Sequence, residues 1–173
     1  MATASSFQRQ TGYGANAPQP PVVDIGWEPS KNGSVPEHAV LGGQEKDGRK
    51  LFISRVFYNG GEHPGKMGQH LGGCSIGYAG KEVTLSNCEV LVADDQHLEW
   101  VAVRNANTQF SDAYAPIIGG REPDGKELYI GRFRRDGLWV PGKVGDHLGG
   151  ISYSFGGSEY HAKDFEILCY HQW

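Results

Sequence analysis

Residues Pro64–Gly73 read PGKMGQHLGG, and residues Pro141–Gly150 read PGKVGDHLGG. The same Gly-rich stretch occurs twice, with the same lysine and the same histidine. Working outward from it, Gly42–Leu91 aligns with Gly119–Leu168 without a gap at an offset of 77, and about 22 of those 50 positions are identical. The matches include Gly42-Gly43 with Gly119-Gly120, Asp47-Gly48 with Asp124-Gly125, Arg55 with Arg132, His70 with His147, Glu82 with Glu159 and Glu89 with Glu166. Trp27 and Trp100 open the two units. An internal duplication of this kind decides the architecture before any single element is considered. Packing alone would retain apolar positions between the copies, whereas many of those retained here are Gly, Pro, Lys, His, Asp and Glu.

The 173 residues are enough for one ordinary domain or two very small ones, and enough to bury a core. Hydrophobic and charged fractions of 38% and 21% are those of a soluble globular chain. A net charge of −4 with no basic block argues against nucleic acid as a partner. No apolar run has the length of a membrane span, so membrane insertion is not expected. Glycine, at 26 residues, is the compositional outlier. That much glycine serves tight turns between many short elements, which points to β structure. Cys74, Cys88 and Cys169 form no C-x-x-C pair and indicate neither a zinc site nor a disulfide framework. They read as small buried hydrophobes. The first 21 residues, MATASSFQRQTGYGANAPQPP, lack the apolar region of a secretory signal. We expect a flexible tail over 1–26, one repeat over 27–96 and a second over 97–173. A cytoplasmic location fits, with secretion without a classical signal peptide or a removed leader left open.

Leu51–Phe57 and Glu127–Phe133 are rich in β-branched and aromatic residues and predict strands. Cys74–Tyr78 and Ile151–Phe155 alternate as half-buried strands do, Cys88–Ala93 and Phe165–Tyr170 close each unit, and Glu99–Arg104 begins the second. Ala39–Gly42 and Pro116–Gly119 are shorter candidates. No long stretch carries a helical period with caps. The expectation is an all-β fold: two tandem pseudo-twofold-related repeats of four or five short antiparallel strands, forming a compact β-sandwich-like domain.

The shared pattern is W…G-G-x-E-x-D-G-x-x-L-[YF]-I-x-R…P-G-K…H-L-G-G…G-x-E…E-[VI]-L. It resembles the DM9 repeat family over Trp27–Tyr170. The resemblance implies a β-rich tandem fold and a lectin that binds mannose-type glycans on microbial surfaces, with roles in immune recognition and agglutination. In such lectins an acidic residue of the G-G-x-D turn and the P-G-K lysine contact the sugar. The matching positions are Glu45 and Lys66 in the first repeat and Glu122 and Lys143 in the second. The family's usual aspartate is glutamate in both copies, which extends the carboxylate by one methylene and bears on sugar identity.

The chemistry suits the residues. A carboxylate accepts from two vicinal hydroxyls, and an ammonium donates to their oxygens. Two weak sites on one chain would gain through avidity. His70 and His147 either donate to a hydroxyl or brace the loop. Trp139, Tyr58 and His63 lie near the two loops and can stack on a sugar, but they differ between copies. Read without the family, each Glu and Lys is a turn acid and a solvated lysine, or a surface ion pair. Arg55 and Arg132 are expected to pair with Glu89 and Glu166, Asp47-Gly48 and Asp124-Gly125 to form hairpin turns, and Glu82 and Glu159 to be structural. A calcium site at Glu45/Asp47 lacks the ligand spacing. A strand of seven or eight residues puts acid and lysine roughly 25 Å apart along the chain. The pocket is therefore built either by a returning loop within one repeat or by an acid and a lysine from different repeats. No cofactor, metal or catalytic residue is implied. A glycosidase needs two carboxylates in unlike environments, whereas these acids repeat symmetrically. The alternatives to a lectin are a protein-interaction or structural β module, with a homodimer as one form, and a glycan-processing enzyme.

Overall fold

The computed structural model describes residues 25–107 and 109–171. The tail expected over 1–26 lies almost wholly outside them. Among the described residues each repeat has seven strands. The first contains β1 (Gly26–Lys31), β2 (Leu41–Gln44), β3 (Lys50–Tyr58), β4 (Gly61–Gly68), β5 (Gly73–Tyr78), β6 (Lys81–Leu85) and β7 (Asn87–Val92). The second contains β8 (Leu98–Val103), β9 (Ile118–Arg121), β10 (Glu127–Arg135), β11 (Leu138–Gly145), β12 (Gly150–Phe155), β13 (Ser158–Ala162) and β14 (Phe165–Tyr170). A single turn of α-helix, Phe110–Ala113, follows β8. The fold is all-β, with the two repeats related by a pseudo-twofold.

Both PGK stretches differ from the expected loop. Each lies in a strand, β4 or β11, that continues into one 3-10 turn, Gln69–Leu71 or Asp146–Leu148. The reason is packing. The residues of β4 from His63 to Gly68 are all buried, so the strand is covered on both faces and loses the alternation that marks a half-buried strand. A Cβ on Gly65 would stand 2.2 Å from the Ser75 carbonyl oxygen, and one on Gly142 would stand 2.3 Å from that of Ser152. The glycine of P-G-K is thus demanded by the neighbouring strand.

Within each repeat the antiparallel order is β1-β7-β3-β4-β5-β6 and β8-β14-β10-β11-β12-β13, and β6 meets β13 to join the halves. β9 pairs with β10 of its own repeat and with β4 of the other, through Glu62 and Arg121, so that the sheet closes on itself. The Gly-Gly pairs make this interlock. Gly42 packs on the Pro141 ring and Gly119 on the Pro64 ring, where an added Cβ would lie 2.7 Å from the ring in each case. At Gly43 a Cβ would fall 1.9 Å from the Trp139 carbonyl oxygen, and at Gly120 1.9 Å from that of Glu62. The β6–β13 seam shows the pseudo-dyad directly. Glu82 N–H donates to Gly157 O at 3.0 Å, and Glu159 N–H donates to Gly80 O at 3.1 Å.

Two apolar clusters belong to one repeat each, around Met67, Ile76 and Val90 and around Val144, Ile151 and Ile167. A third is shared and is built from equivalent pairs: Val40 and Ile117, Ile53 and Ile130, Leu91 and Leu168. Burying such side chains contributes about 1.5–3 kcal/mol each. The three cysteines are free and buried.

Candidate functional site

The two acids are set by hairpin geometry. Glu45 N–H donates to Arg49 O at 2.8 Å, and its carbonyl accepts from Gly48 N–H at 2.9 Å; Glu122 makes the same bonds with Lys126 and Gly125. Gly48 and Gly125 occupy φ of 89° and 90°, the left-handed region that such a turn requires. The D-G hairpin expectation holds in both copies. Glu45 lies beside Lys66 of β4 and His70, and Glu122 beside His147 and His63 of β4.

Lys66 and Lys143 are buried, at 4% and 5% exposure, rather than solvated. Both ammonium groups cross to the other repeat. Lys66 Nζ donates to the Ser154 carbonyl of β12 at 2.9 Å, lies 3.2 Å from Glu82 Oε2, and stands 5.6 Å from the centre of the Phe155 ring. Lys143 Nζ lies 3.1 Å from His63 Nδ1 of β4 and 5.6 Å from the centre of the Tyr78 ring of β5. Burial lowers the Lys143 pKa, opposed by the charges of Glu159 and Glu122.

Around Lys66 there is a cavity of about 310 Å³, the small end of the range for ligand clefts. Glu45, Lys46 and Leu51 form one wall. Arg135, Asp136, Leu138, Val140 and Phe155 of the second repeat form the other. The acid and lysine of one repeat therefore meet in one pocket, and the other repeat supplies the opposite wall. Arg135 stacks on Phe155, with 4.3 Å from guanidinium carbon to ring centre, and donates to the Tyr153 hydroxyl at 3.2 Å. The Nε of Arg135 and the Oγ of Ser154 are buried without a hydrogen-bond partner.

His70 is not in this pocket. Its Nε2 lies 3.3 Å from Glu45 Oε1, and its ring folds over Gly68 and lines a shallow cleft with Arg49, Lys50 and Phe52. His147 stands 4.0 Å from Glu122 and lines the equivalent cleft with Lys126, Glu127 and Tyr129. His70 braces its acid by a hydrogen bond, whereas His147 stands only at ion-pair distance from Glu122.

Arg135, Val140 and Phe155 carry no sequence signal as pocket residues. Their place depends on how the repeats dock, which a 77-residue offset does not encode. Of the three stacking candidates, Trp139 lies against the Arg132 guanidinium at 4.3 Å, Tyr58 packs edge-on against Tyr78 at 5.0 Å, and His63 is completely buried. None is a free aromatic platform. Arg55 and Arg132 pair with Glu89 and Glu166 as expected, at 3.1 and 2.8 Å.

His63 is held neutral. Burial first, and then the Lys143 charge, lower its pKa below the ordinary 6.5, while Glu122, the Tyr58 carbonyl and Glu159 oppose the shift. A histidine whose folded pKa is depressed contributes stability that is full above about pH 6.5 and is lost as pH falls toward the folded value, because the unfolded chain takes the proton more readily. In His63→Val the stability difference from wild type should therefore move in the variant's favour between pH 7.5 and pH 5. Parallel urea-derived stability profiles across that range would contradict it.

A duplicated all-β unit, interlocked with its copy through Gly-Gly turns and carrying a turn acid beside a buried lysine, defines a tandem-repeat β module. The chain belongs to the DM9 repeat family, which matches residues 19–85 and 63–162. Among solved structures it is similar to the nematode sperm cell motility protein MFP2B, with a TM-score of 0.63 and 14% identity. That match covers 89% of this chain and 49% of the MFP2B chain, so the protein spans about half the length of that relative. At this identity the likeness is one of fold. No curated protein sequence matches the chain.

Proposed function

We propose that this protein is a non-enzymatic carbohydrate-binding module that takes mannose-type glycans where a turn glutamate meets a P-G-K lysine, at Glu45 and Lys66. The observation that carries the reading is the cavity in which Glu45 and Lys66 face Arg135 and Phe155. A hexose presents vicinal hydroxyls and an apolar C–H face. The Glu45 carboxylate accepts from a hydroxyl pair, while Lys66 keeps ammonium protons beyond its hydrogen bond to Ser154 and its ion pair with Glu82. Arg135, which lines the same cavity, supplies a second cation, and the Phe155 ring offers a surface for the C–H face. Surface-glycan recognition or agglutination follows as the physiological role.

The test is titration calorimetry with methyl α-mannoside. One charge-assisted bond is worth about 1.5–3 kcal/mol, so Lys66→Ala should weaken binding by roughly 10- to 150-fold. Loss of Lys66 also leaves Glu82 without its cation, so Glu45→Gln is the companion variant. It leaves the buried lysine intact and should show a similar loss. Mannoside affinity unchanged in both variants would remove the pocket from the function.

A further inference from the structure

The two Glu–Lys positions are related by the repeat, yet they are filled differently. Shifting the first pocket by 77 residues gives Glu122, Leu128 and Lys143 on one side and Tyr58, Asn59, Gly61, His63 and Tyr78 on the other. The decisive exchange is Val140 for His63, at matching points of the register: Val140 pairs with Phe133, and His63 with Val56. Val140 leaves the space beside Lys66 open, and it lines that cavity. His63 puts its Nδ1 3.1 Å from Lys143 Nζ and 3.7 Å from Glu122 Oε1. One imidazole nitrogen thus stands between the cation and the anion that would otherwise grip a ligand. The rest of the volume is aromatic. His63 packs edge-on against Tyr78 at 5.5 Å, and Tyr58 does the same at 5.0 Å, with Tyr58 standing where the first pocket has Arg135.

Resting on the carbohydrate reading above, we infer that the protein binds one sugar per chain, at the Lys66 pocket, because His63 occupies the Lys143 position as a built-in ligand. The duplicated sequence would otherwise predict two. His63 is accordingly the residue that sets valency. A neutral imidazole accepting at Nδ1 from the Lys143 ammonium mimics a hydroxyl oxygen, and it is fully shielded from solvent. The single-site chain reaches avidity only by self-association or by multivalent display, because tandem repeats do not supply it.

Exchanging the two residues tests the inference. Calorimetric stoichiometry with methyl α-mannoside should be one per wild-type chain, abolished by Val140→His and doubled by His63→Val. Each substitution installs a side chain that the equivalent position already accommodates, so both variants should fold. Lys143→Ala should leave the wild-type stoichiometry at one. As a readout independent of the sugar, Lys143 should be slow to acetylate in wild type and at least about tenfold faster in His63→Val when followed by peptide mass spectrometry, once its shield is gone. Two equivalent sites in the wild type, or one site lost with Lys143→Ala and kept in Val140→His, overturns the assignment of His63 while leaving the lectin reading intact. Absence of mannoside binding in wild type and His63→Val alike overturns the carbohydrate reading, and the single-sugar valency with it.

Discussion

Gly120→Ala should lower stability by about 3 kcal/mol or more, and Gly43→Ala should do the same from the other side of the pseudo-dyad. Overpacking usually costs about 1–3 kcal/mol because side chains can shift aside. Here the obstacle is backbone. The new methyl carbon would lie 1.9 Å from the Glu62 carbonyl oxygen and 2.7 Å from its carbon in one case, and at the same distances from Trp139 in the other. Relief requires β9 to withdraw from β4, or β2 from β11, and with it the shared cluster of Val40, Ile53, Ile117 and Ile130 to open. For a chain of this size each kcal/mol moves the melting temperature by about 2–4 °C, so a fall of roughly 6–12 °C is expected in thermal unfolding. A shift under about 2 °C in both variants would show that the two repeats do not depend on this interlock.

Arg132→Ala should be nearly as costly, at about 3 kcal/mol. The Arg132 guanidinium lies between the Trp100 and Trp139 rings at 4.2 and 4.3 Å while its Nε donates to Glu166 at 2.8 Å. Removing one partner of a buried ion pair costs about 3–5 kcal/mol. Both side chains keep about a fifth of their exposure, which places this pair at the low end of that range. Arg132→Lys should recover only part of the loss, because a compact ammonium cannot fill a flat slot between two indoles. Arg55 has one indole, Trp27, at 4.2 Å, together with Glu62 and Glu89. Arg55→Ala should therefore lose less, by about the 0.5–1 kcal/mol of one cation–π contact. Chemical denaturation of the three variants gives the order, and an Arg55→Ala loss larger than that of Arg132→Ala contradicts it.

The duplication, the all-β class and the strands around Leu51, Glu127, Cys74, Ile151, Cys88 and Phe165 were legible because alternation and β-branched content mark half-buried strands. β4 and β11 were not, because a strand covered on both faces has no alternation, and its Pro and Gly imitate a turn. β6 and β13 were hidden for the opposite reason. They are short, polar and largely half-exposed, as in Lys81-Glu82-Val83-Thr84-Leu85. β1, Gly26–Lys31, also lacks a strand signal, being exposed at half its positions and carrying Pro29, and these omissions together account for seven strands per repeat instead of four or five.

At the site, Glu45 and Lys66 were reached through the repeat and the family pattern. The partners that give them a cavity come from the other repeat and leave no local signal. Gly43 and Gly120 show the same limit. They read as turn glycines, yet each is required because another repeat's carbonyl lies against it. His63 was visible as a difference between copies, but only its full burial beside Lys143 separates an internal filler from an exposed ring.

The reciprocal bonds at the β6–β13 seam carry an implication about origin. The backbone bonds there occur twice with the partners exchanged, Glu82 to Gly157 and Glu159 to Gly80, which is the signature of an isologous interface between identical subunits. The molecule has the geometry of a homodimer whose two subunits became one polypeptide, joined by the short stretch between β7 and β8. Fusion frees each half to diverge without disturbing its twin, and a lone ancestral unit would have had to change both copies of any residue at once.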